Sequence, residues 1–349
     1  MEKIRLGRTE MMVTQLGFGG IPIQRLSDDE AVAVVRRCLE LGITFIDTAN
    51  SYTNSEERIG KAITGRREGL ILATKTAARS RQEAENHLKL SLERLGVEYI
   101  DLYQLHNVSD AKAMKEILAP DGPLAVVEKA KRAGMVKHIG ITSHSIDIAK
   151  ELVKTGHFET VMFPFNFVTS EPAIDLLSLA REQDVGFIAM KPLAGGRLDN
   201  AAVACKYLLQ FPDVVLIPGI EKVSEIEEIV RVVEGPWQMT TAEQTEMESL
   251  KQELGQTFCR RCDYCQPCTE GIPISVVMNY PTFGKRLPSE SIFSSGFIVD
   301  ALGRAANCTR CGECEERCPY KLPIREMMEE YVDRYMVDKK QYEEQTELK

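Results

Sequence analysis

The chain has 349 residues, 44% hydrophobic and 27% charged, with 43 Lys and Arg against 52 Asp and Glu and a net charge of −9. Ordinary globular usage at this length leaves room for two domains and a sizeable core, and the acidic balance argues against a nucleic-acid or anionic-membrane partner. No apolar run approaches the ~18 residues that span a bilayer, and the opening MEKIRLGRTE has no signal-peptide core, so a cytoplasmic protein is expected.

Short apolar, β-branched runs recur in the first 220 residues: VTQLGFGG (13–20), ITFIDTA (43–49), LILATKT (70–76), YIDLYQLH (99–106), KHIGITSH (137–144), TVMFPFN (160–166), VGFIAMKP (185–192) and VVLIPGI (214–220). Most are apolar throughout their centres, as parallel strands buried on both faces are. Helical patterns separate them. SDDEAVAVVRRCLELG begins with the capping residue Ser27 and stops at Gly42, and SRQEAENHLKLSLERLG stops at Gly96. Segments 121–134, 145–156, 170–184 and 198–211 supply further helices. Eight strands alternating with helices predict an α/β fold, a closed (β/α)8 TIM barrel over residues 1–235. An open doubly wound sheet is the rival, but it would carry GxGxxG after its first strand. The junction here, GFGGIPIQRLSDDE, lacks the third glycine.

In such a barrel, chemistry gathers where the C-terminal ends of the strands open into loops. Asp47 in FIDTANSY, Tyr52 five residues later, Lys75 in LATKT and His106 in YQLH all fall there. Any one alone reads equally well as a solvated loop residue or half of an ion pair; together they suggest proton transfer by a phenol. A free phenol exchanges protons poorly near neutrality, and an ammonium beside it favours the phenolate. A carboxylate would hold that ammonium, and an imidazole would orient a substrate carbonyl receiving a proton.

The string FIDTANSY…ATKT…IDLYQLH resembles the aldo-keto reductase family in order and spacing, over roughly residues 1–235. LGRTEMMVTQLGFGG is similar to that family's N-terminal hairpin and first strand. The resemblance implies a (β/α)8 barrel that passes hydride between NADP or NAD and an aldehyde, ketone or alcohol. Tyr52 would be the general acid, Lys75 and Asp47 its tuning pair and His106 the orienting group. It also implies cofactor contacts at Gly20, Asp47, Thr142, Ser143, Asn166, Lys191, Leu193, Gly195, Gly219 and Lys222. The sequence departs from the family pattern where Thr142 and Ser143 replace a Ser-Asn pair, Met162 a glutamine and Met190 a stacking aromatic. Around the eighth strand, Glu221, Glu225, Glu227 and Glu228 would repel a 2′-phosphate and favour NAD, unless they are simply an acidic first helical turn.

Ten cysteines are unevenly spread: Cys38 and Cys205 sit in helical patterns as small buried side chains, and the other eight follow residue 258. CRRCDYCQPC supplies Cys259, Cys262, Cys265 and Cys268; CTRCGECEERCPY supplies Cys308, Cys311, Cys314 and Cys318. The second run has the bacterial ferredoxin spacing C-x₂-C-x₂-C-x₃-C-P, in which the last cysteine ligates the other cluster. One [4Fe–4S] cluster would then take Cys259, Cys262, Cys265 and Cys318, and the other Cys308, Cys311, Cys314 and Cys268. Two Cys₄ zinc sites are the alternative. The first run ends with x₂ and has Thr269 in place of proline, while GIPI (271–274) parallels KLPI (321–324) as an internal repeat.

The expected organisation is the barrel (1–235), a linker helix (236–256), a small, mainly helical ferredoxin-like 2[4Fe–4S] domain (257–335) and a charged tail (336–349) that is the fraying end of a helix. Trp237 is expected to anchor the linker. Tyr280, Phe283, Phe293 and Phe297 are expected either around the clusters or in a small core. His87, His138 and His157 are expected on helices or loops without partners. Hydride transfer needs no iron, so the clusters would either exchange electrons with a ferredoxin or flavoprotein or staple the domain. The competing functional class is a barrel with altered cofactor use that serves electron transfer or partner binding rather than carbonyl reduction.

Overall fold

The computed structural model describes residues 1–294 and 296–347, and the chain divides into two compact units, Met1–Gln244 and Thr245–Lys349. The first opens with an antiparallel hairpin, β1 (Lys3–Arg5) and β2 (Met12–Thr14). Eight parallel strands follow, β3 (Phe18–Gly19), β4 (Phe45–Asp47), β5 (Ile71–Thr76), β6 (Ile100–Leu105), β7 (Val136–Thr142), β8 (Thr160–Pro164), β9 (Gly186–Met190) and β10 (Val214–Ile217), each beside the next. The sheet closes on itself: the Gly19 N–H donates to the Pro218 carbonyl at 2.9 Å and Leu216 N–H to the Gln15 carbonyl at 2.9 Å. A Cβ on Gly19 would sit 2.7 Å from that Pro218 oxygen, so the seam requires glycine.

The helices between strands are α1 (Asp28–Glu40), α2 (Ser55–Ile63), α3 (Arg81–Leu95), α4 (Ala111–Ile117), α5 (Pro123–Arg132), α6 (Ile146–Lys154), α7 (Ser170–Glu182), α8 (Ala201–Leu209) and α9 (Val223–Glu234). Ser27 and Glu30 form a capping box on α1, as Ser80 and Glu83 do on α3, which ends at Gly96 with φ 66°. Cys38 and Cys205 are buried in α1 and α8, where burial pushes each thiol up to about 12. Period-two alternation sends Phe45, Ala73, Leu102, Met162, Ile188 and Val215 into one cluster with Ile4, Leu6 and Val13 of the hairpin. The hairpin therefore plugs the N-terminal end of the barrel, and two residues further along β4, β5 and β6 the inward positions are Asp47, Lys75 and Gln104.

Several expectations are corrected. VTQLGFGG is not one strand: Met12–Thr14 pairs in the hairpin and Phe18–Gly19 begins the barrel. At Gly17, between them, a Cβ would meet Phe45 at 2.8 Å. Helix α4, capped by Asp110, adds a helix after β6 that the periodicity did not show. Trp237 is not buried as an anchor but 45% exposed. The three histidines have partners: His87 Nδ1 lies 2.9 Å from Thr76 Oγ1, His157 pairs with Glu128 at 3.4 Å, and His138 is in β7, 2.7 Å from Glu159.

Glu159 also accepts from Lys131 Nζ at 2.5 Å and the Ile139 N–H at 3.0 Å. Burial pushes its carboxyl up, but the hydrogen bonds from His138, Lys131 and Ile139 outweigh this and hold it down at about 2. A depressed carboxyl stabilises the fold above its unfolded value and ceases to do so as pH falls through the folded one. The wild type should therefore lose about 2 kcal/mol between pH 4.5 and pH 2 that Glu159→Gln does not lose, read from urea unfolding midpoints. Parallel pH profiles for the two proteins would contradict it.

Helix α10 (Thr241–Gly255) leads into the second unit, which contains α11 (Ile274–Val277), α12 (Tyr280–Phe283), α13 (Ser289–Phe293), α14 (Gly296–Ala305), α15 (Glu313–Glu316) and α16 (Ile324–Glu347). Its core gathers Ile272, Ile274, Val277, Leu302, Leu322 and Met328 with Cys265, Cys314 and Cys318. Tyr280 packs edge-on against Tyr335, and Phe293 stacks on Tyr335 and Tyr342, so these aromatics belong to that core. Phe297 joins neither arrangement and is 65% exposed. The tail after Met336 continues α16 without a break as far as Glu347; residues 348–349 lie outside the described residues. No described helix is long and apolar enough to cross a membrane.

Candidate active site and cysteine cavities

Asp47 and Lys75 end β4 and β5, and both are buried. Lys75 Nζ donates to Asp47 Oδ2 at 2.5 Å and to the Thr48 carbonyl at 2.7 Å, and Gln104 Nε2 of β6 donates to Asp47 Oδ1 at 3.0 Å. The loop after β4 stays bonded to β5 through the Thr48 N–H to Ala73 and the Asn50 N–H to Lys75, then turns at Tyr52. Lys75 Nζ therefore lies 4.9 Å from the centre of the Tyr52 ring. His106, whose N–H donates to the Thr76 carbonyl, meets that ring edge-on with centroids 5.8 Å apart. Burial works against the Lys75 ammonium, yet the Asp47 carboxylate and the Tyr52 phenol outweigh it and hold the lysine above its ordinary value. The arrangement is a buried, charged pair beneath two half-exposed rings, one of which can donate a proton while the other holds an oxygen in place.

Gln104 was not singled out from the sequence. Its signal was there: in the run IDLYQL an inward Leu102 makes Gln104 inward two residues later, and a buried glutamine needs a polar partner.

The residues implied for cofactor contacts lie on several strand ends. Gly20 packs against its own neighbours, where a Cβ would meet Ser55 Oγ at 2.9 Å, and at Gly219 one would meet Pro22 at 2.8 Å. Thr142 Oγ1 accepts the Asn107 N–H at 2.7 Å, and Ser143 Oγ is tied to the backbone of Ser145. Asn166 Nδ2 donates to the Lys191 carbonyl at 3.0 Å while its oxygen accepts the Val168 and Thr169 N–H groups. Lys191, Ala194, Gly195 and Gly196 all have positive φ, and the Leu193 carbonyl accepts from Gly196, Arg197 and Leu198. This tight loop after β9 turns on Ala194, Gly195 and Gly196 beside Lys191, and the glycines leave backbone open to the approach of a pyrophosphate. Lys191 Nζ is 2.9 Å from His144 Nε2.

Three of the four carboxylates near the eighth strand have partners. Glu225 accepts the Glu221 and Lys222 N–H groups at the start of α9, Glu221 pairs with Arg25, and Glu227 pairs with Arg37. They serve as a helix cap and ion-pair partners. Met190 ends β9 facing inward, whereas Met162 lies mid-strand in β8 and belongs to the apolar layer against the hairpin.

In the second unit two small cavities are lined by cysteines. One is bounded by Cys259, Cys262, Cys265 and Cys318, with Ile274, Met278 and Tyr320. The other is bounded by Cys268, Cys308, Cys311 and Cys314, with Ile274 and Met328. Each cavity thus takes three thiols from one run and the last thiol of the other. The two runs also turn alike, with positive φ at Arg261 and Asp263 in the first and at Arg310 and Gly312 in the second. Among the described residues no three His, Cys, Asp or Glu side chains converge on a point as they would around a single ion.

The closed parallel barrel thus carries a buried Lys–Asp pair beneath Tyr52 and His106 at the C-terminal side of its strands. The profile of the aldo/keto reductase family matches residues 15–202, more than half of the chain, so the chain belongs to that family and is an NAD(P)-dependent oxidoreductase. It is 30% identical over 212 residues to the oxidoreductase YqkF of Bacillus subtilis, covering 57% of this chain and 67% of that protein. It is 31% identical over 212 residues to L-galactose dehydrogenase of Arabidopsis thaliana, covering 55% and 66%. Among solved structures, the holo form of the aldo-keto reductase AKR11C1 from Bacillus halodurans matches with a TM-score of 0.62 and 26% identity, over 72% of this chain and 96% of that one.

Proposed function

We propose that the first unit interconverts an aldehyde or ketone with its alcohol, with Tyr52 as proton donor, and that the second unit holds two [4Fe–4S] clusters. The observation that carries the first part is the buried Lys75–Asp47 pair, 4.9 Å beneath the Tyr52 ring. The loop after β9 and the ends of β7 and β8 would hold a nicotinamide dinucleotide, which would supply or receive hydride when bound. Tyr52 donates its phenolic proton to the substrate oxygen as that oxygen gains negative charge, and the Lys75 ammonium stabilises the phenolate left behind. Asp47, fixed by Gln104, keeps the ammonium charged and aimed. His106 holds the substrate oxygen against Tyr52 and so selects the orientation in which the carbonyl carbon faces the cofactor. Met190 offers a polarisable apolar surface to a flat ring where an aromatic would otherwise stack.

The cluster reading rests on the two cysteine-lined cavities. Each is lined by four thiols, three from one run and the last of the other, the crossing set that the ferredoxin spacing implies. A cluster supplies one-electron capacity, which the barrel's own two-electron chemistry does not require. Cys311 is exposed whereas Cys265, Cys314 and Cys318 are buried, which favours electron exchange with an outside ferredoxin or flavoprotein at the Cys311 side. The activity is tested by anaerobic oxidation of NADPH and NADH with 4-nitrobenzaldehyde: aldehyde-dependent loss of absorbance at 340 nm supports carbonyl reduction. Loss of absorbance without aldehyde, accompanied by bleaching near 400 nm, supports the electron-transfer alternative.

A further inference from the structure

His106 lies in a loop whose geometry is held from outside its own strand. The Arg79 guanidinium, on the loop after β5, is half-buried and spends its side-chain hydrogen bonds on four carbonyls. One terminal nitrogen donates to Ala77 and Ala78, both at 3.1 Å, and the other to His106 at 2.9 Å and Asn107 at 3.0 Å. The fork thus ties the loop after β5 to the loop after β6 at the residue that carries the imidazole. Its own backbone is fixed in turn, because the Arg79 N–H donates to Glu83 at 3.1 Å, inside the α3 capping box.

The dipeptide it grips is in a conformation that needs holding. Asn107 has φ 53°, in the left-handed region that costs most residues energy. Besides Arg79, the Asn107 N–H is held by Thr142 Oγ1 at 2.7 Å, and its side-chain oxygen faces His144 Nδ1 at 3.0 Å. The His106 N–H is held by the Thr76 carbonyl at 2.8 Å. Arg79 bonds directly to the carbonyl of His106 at 2.9 Å. A planar guanidinium can bridge two loops with two separate nitrogens, whereas an ammonium is a single point and cannot reproduce the fork.

We propose that Arg79 is a positioning residue for His106: by bridging the carbonyls of both loops it sets where the imidazole holds the substrate oxygen against Tyr52. This rests on the reading of His106 and Tyr52 given above. Displacing a substrate-orienting group by a fraction of an ångström to an ångström costs up to about 100-fold in turnover.

The test is a double-mutant cycle, with NADPH and 4-nitrobenzaldehyde, on the full chain. Arg79→Met should lower kcat about 10- to 100-fold with the NADPH dissociation constant unchanged. In a His106→Ala background the same change should cost nothing further, because the group it positions is gone. Arg79→Lys should recover only part of the loss. Additive losses of Arg79→Met and His106→Ala, or full turnover in Arg79→Met, would overturn the proposal. An activity-free reading uses the imidazole proton resonances of the five histidines, with His106 assigned from His106→Ala. In Arg79→Met, or in Arg79→Lys if the methionine variant does not fold, the His106 signal should move while those of His138 and His157 stay. An unmoved His106 signal counts against the proposal. Tyr52→Phe run alongside separates the two levels: if it keeps full turnover, the catalytic reading fails; if it is inactive while the cycle is additive, only the role of Arg79 fails.

Discussion

Tyr52→Phe should lower carbonyl reduction by about 10²- to 10⁴-fold, the usual contribution of a positioned general acid, while leaving nucleotide binding and stability close to wild type. The substitution isolates the hydroxyl. Phenylalanine keeps the ring that faces Lys75 Nζ at 4.9 Å and His106 edge-on at 5.8 Å. The Lys75–Asp47 pair keeps its bonds to Thr48 and Gln104. What disappears is the proton that neutralises the substrate oxygen. Comparing kcat, KM and the NADPH dissociation constant separates these effects, since an interaction made only in the transition state lowers kcat and kcat/KM together. Turnover within a few-fold of wild type would remove Tyr52 from the mechanism.

Removing iron should unfold the second unit and spare the first. Anaerobically prepared protein should carry about eight irons and eight sulfides per chain, the content of two cubanes. Cys265, Cys314 and Cys318 belong to the same buried cluster as Ile274, Leu302 and Met328, so these thiols are also part of the small core. Four thiols line each of the two sites in this small unit, and metal binding in such domains is coupled to folding. After chelation under oxidising conditions, hydrogen exchange should show lost protection across residues 257–335 and unchanged protection in β4 to β9. Persistent protection in the second unit, or a zinc-loaded and iron-free protein from anaerobic cells, would contradict the cluster reading.

The parts of this molecule that were legible in the sequence are those where local pattern and geometry coincide. Apolar runs separated by capped helices translate directly into a parallel barrel, because both faces of each strand are buried. Asp47 and Lys75 stood out as polar residues ending apolar runs, and the structure brings them within 2.5 Å. Gln104 was hidden because it sits inside such a run, where only its register against Leu102 reveals that it faces the interior. The first strand was misjudged because a hairpin and a barrel strand follow each other across Gly17 with no polar break. His138 was set aside because its partner, Glu159, is 21 residues away. Arg79 could not be read at all: its four acceptors are backbone carbonyls, which leave no mark in sequence. The spacing of the cysteines, by contrast, already paired three thiols of each run with the last thiol of the other, the same sets that line the two cavities.

The central claim is that the carbonyl is reduced at the mouth of the barrel by hydride from a nicotinamide with a proton from Tyr52. Its most direct test is anaerobic reduction of 4-nitrobenzaldehyde with NADPH or NADH deuterated at the transferring C4 position, with the alcohol analysed by mass spectrometry and NMR. One deuterium on the carbinol carbon, in an alcohol that Tyr52→Phe forms about 10²- to 10⁴-fold more slowly, is the predicted result. An alcohol without deuterium, or cofactor consumed only as the clusters bleach, would contradict it.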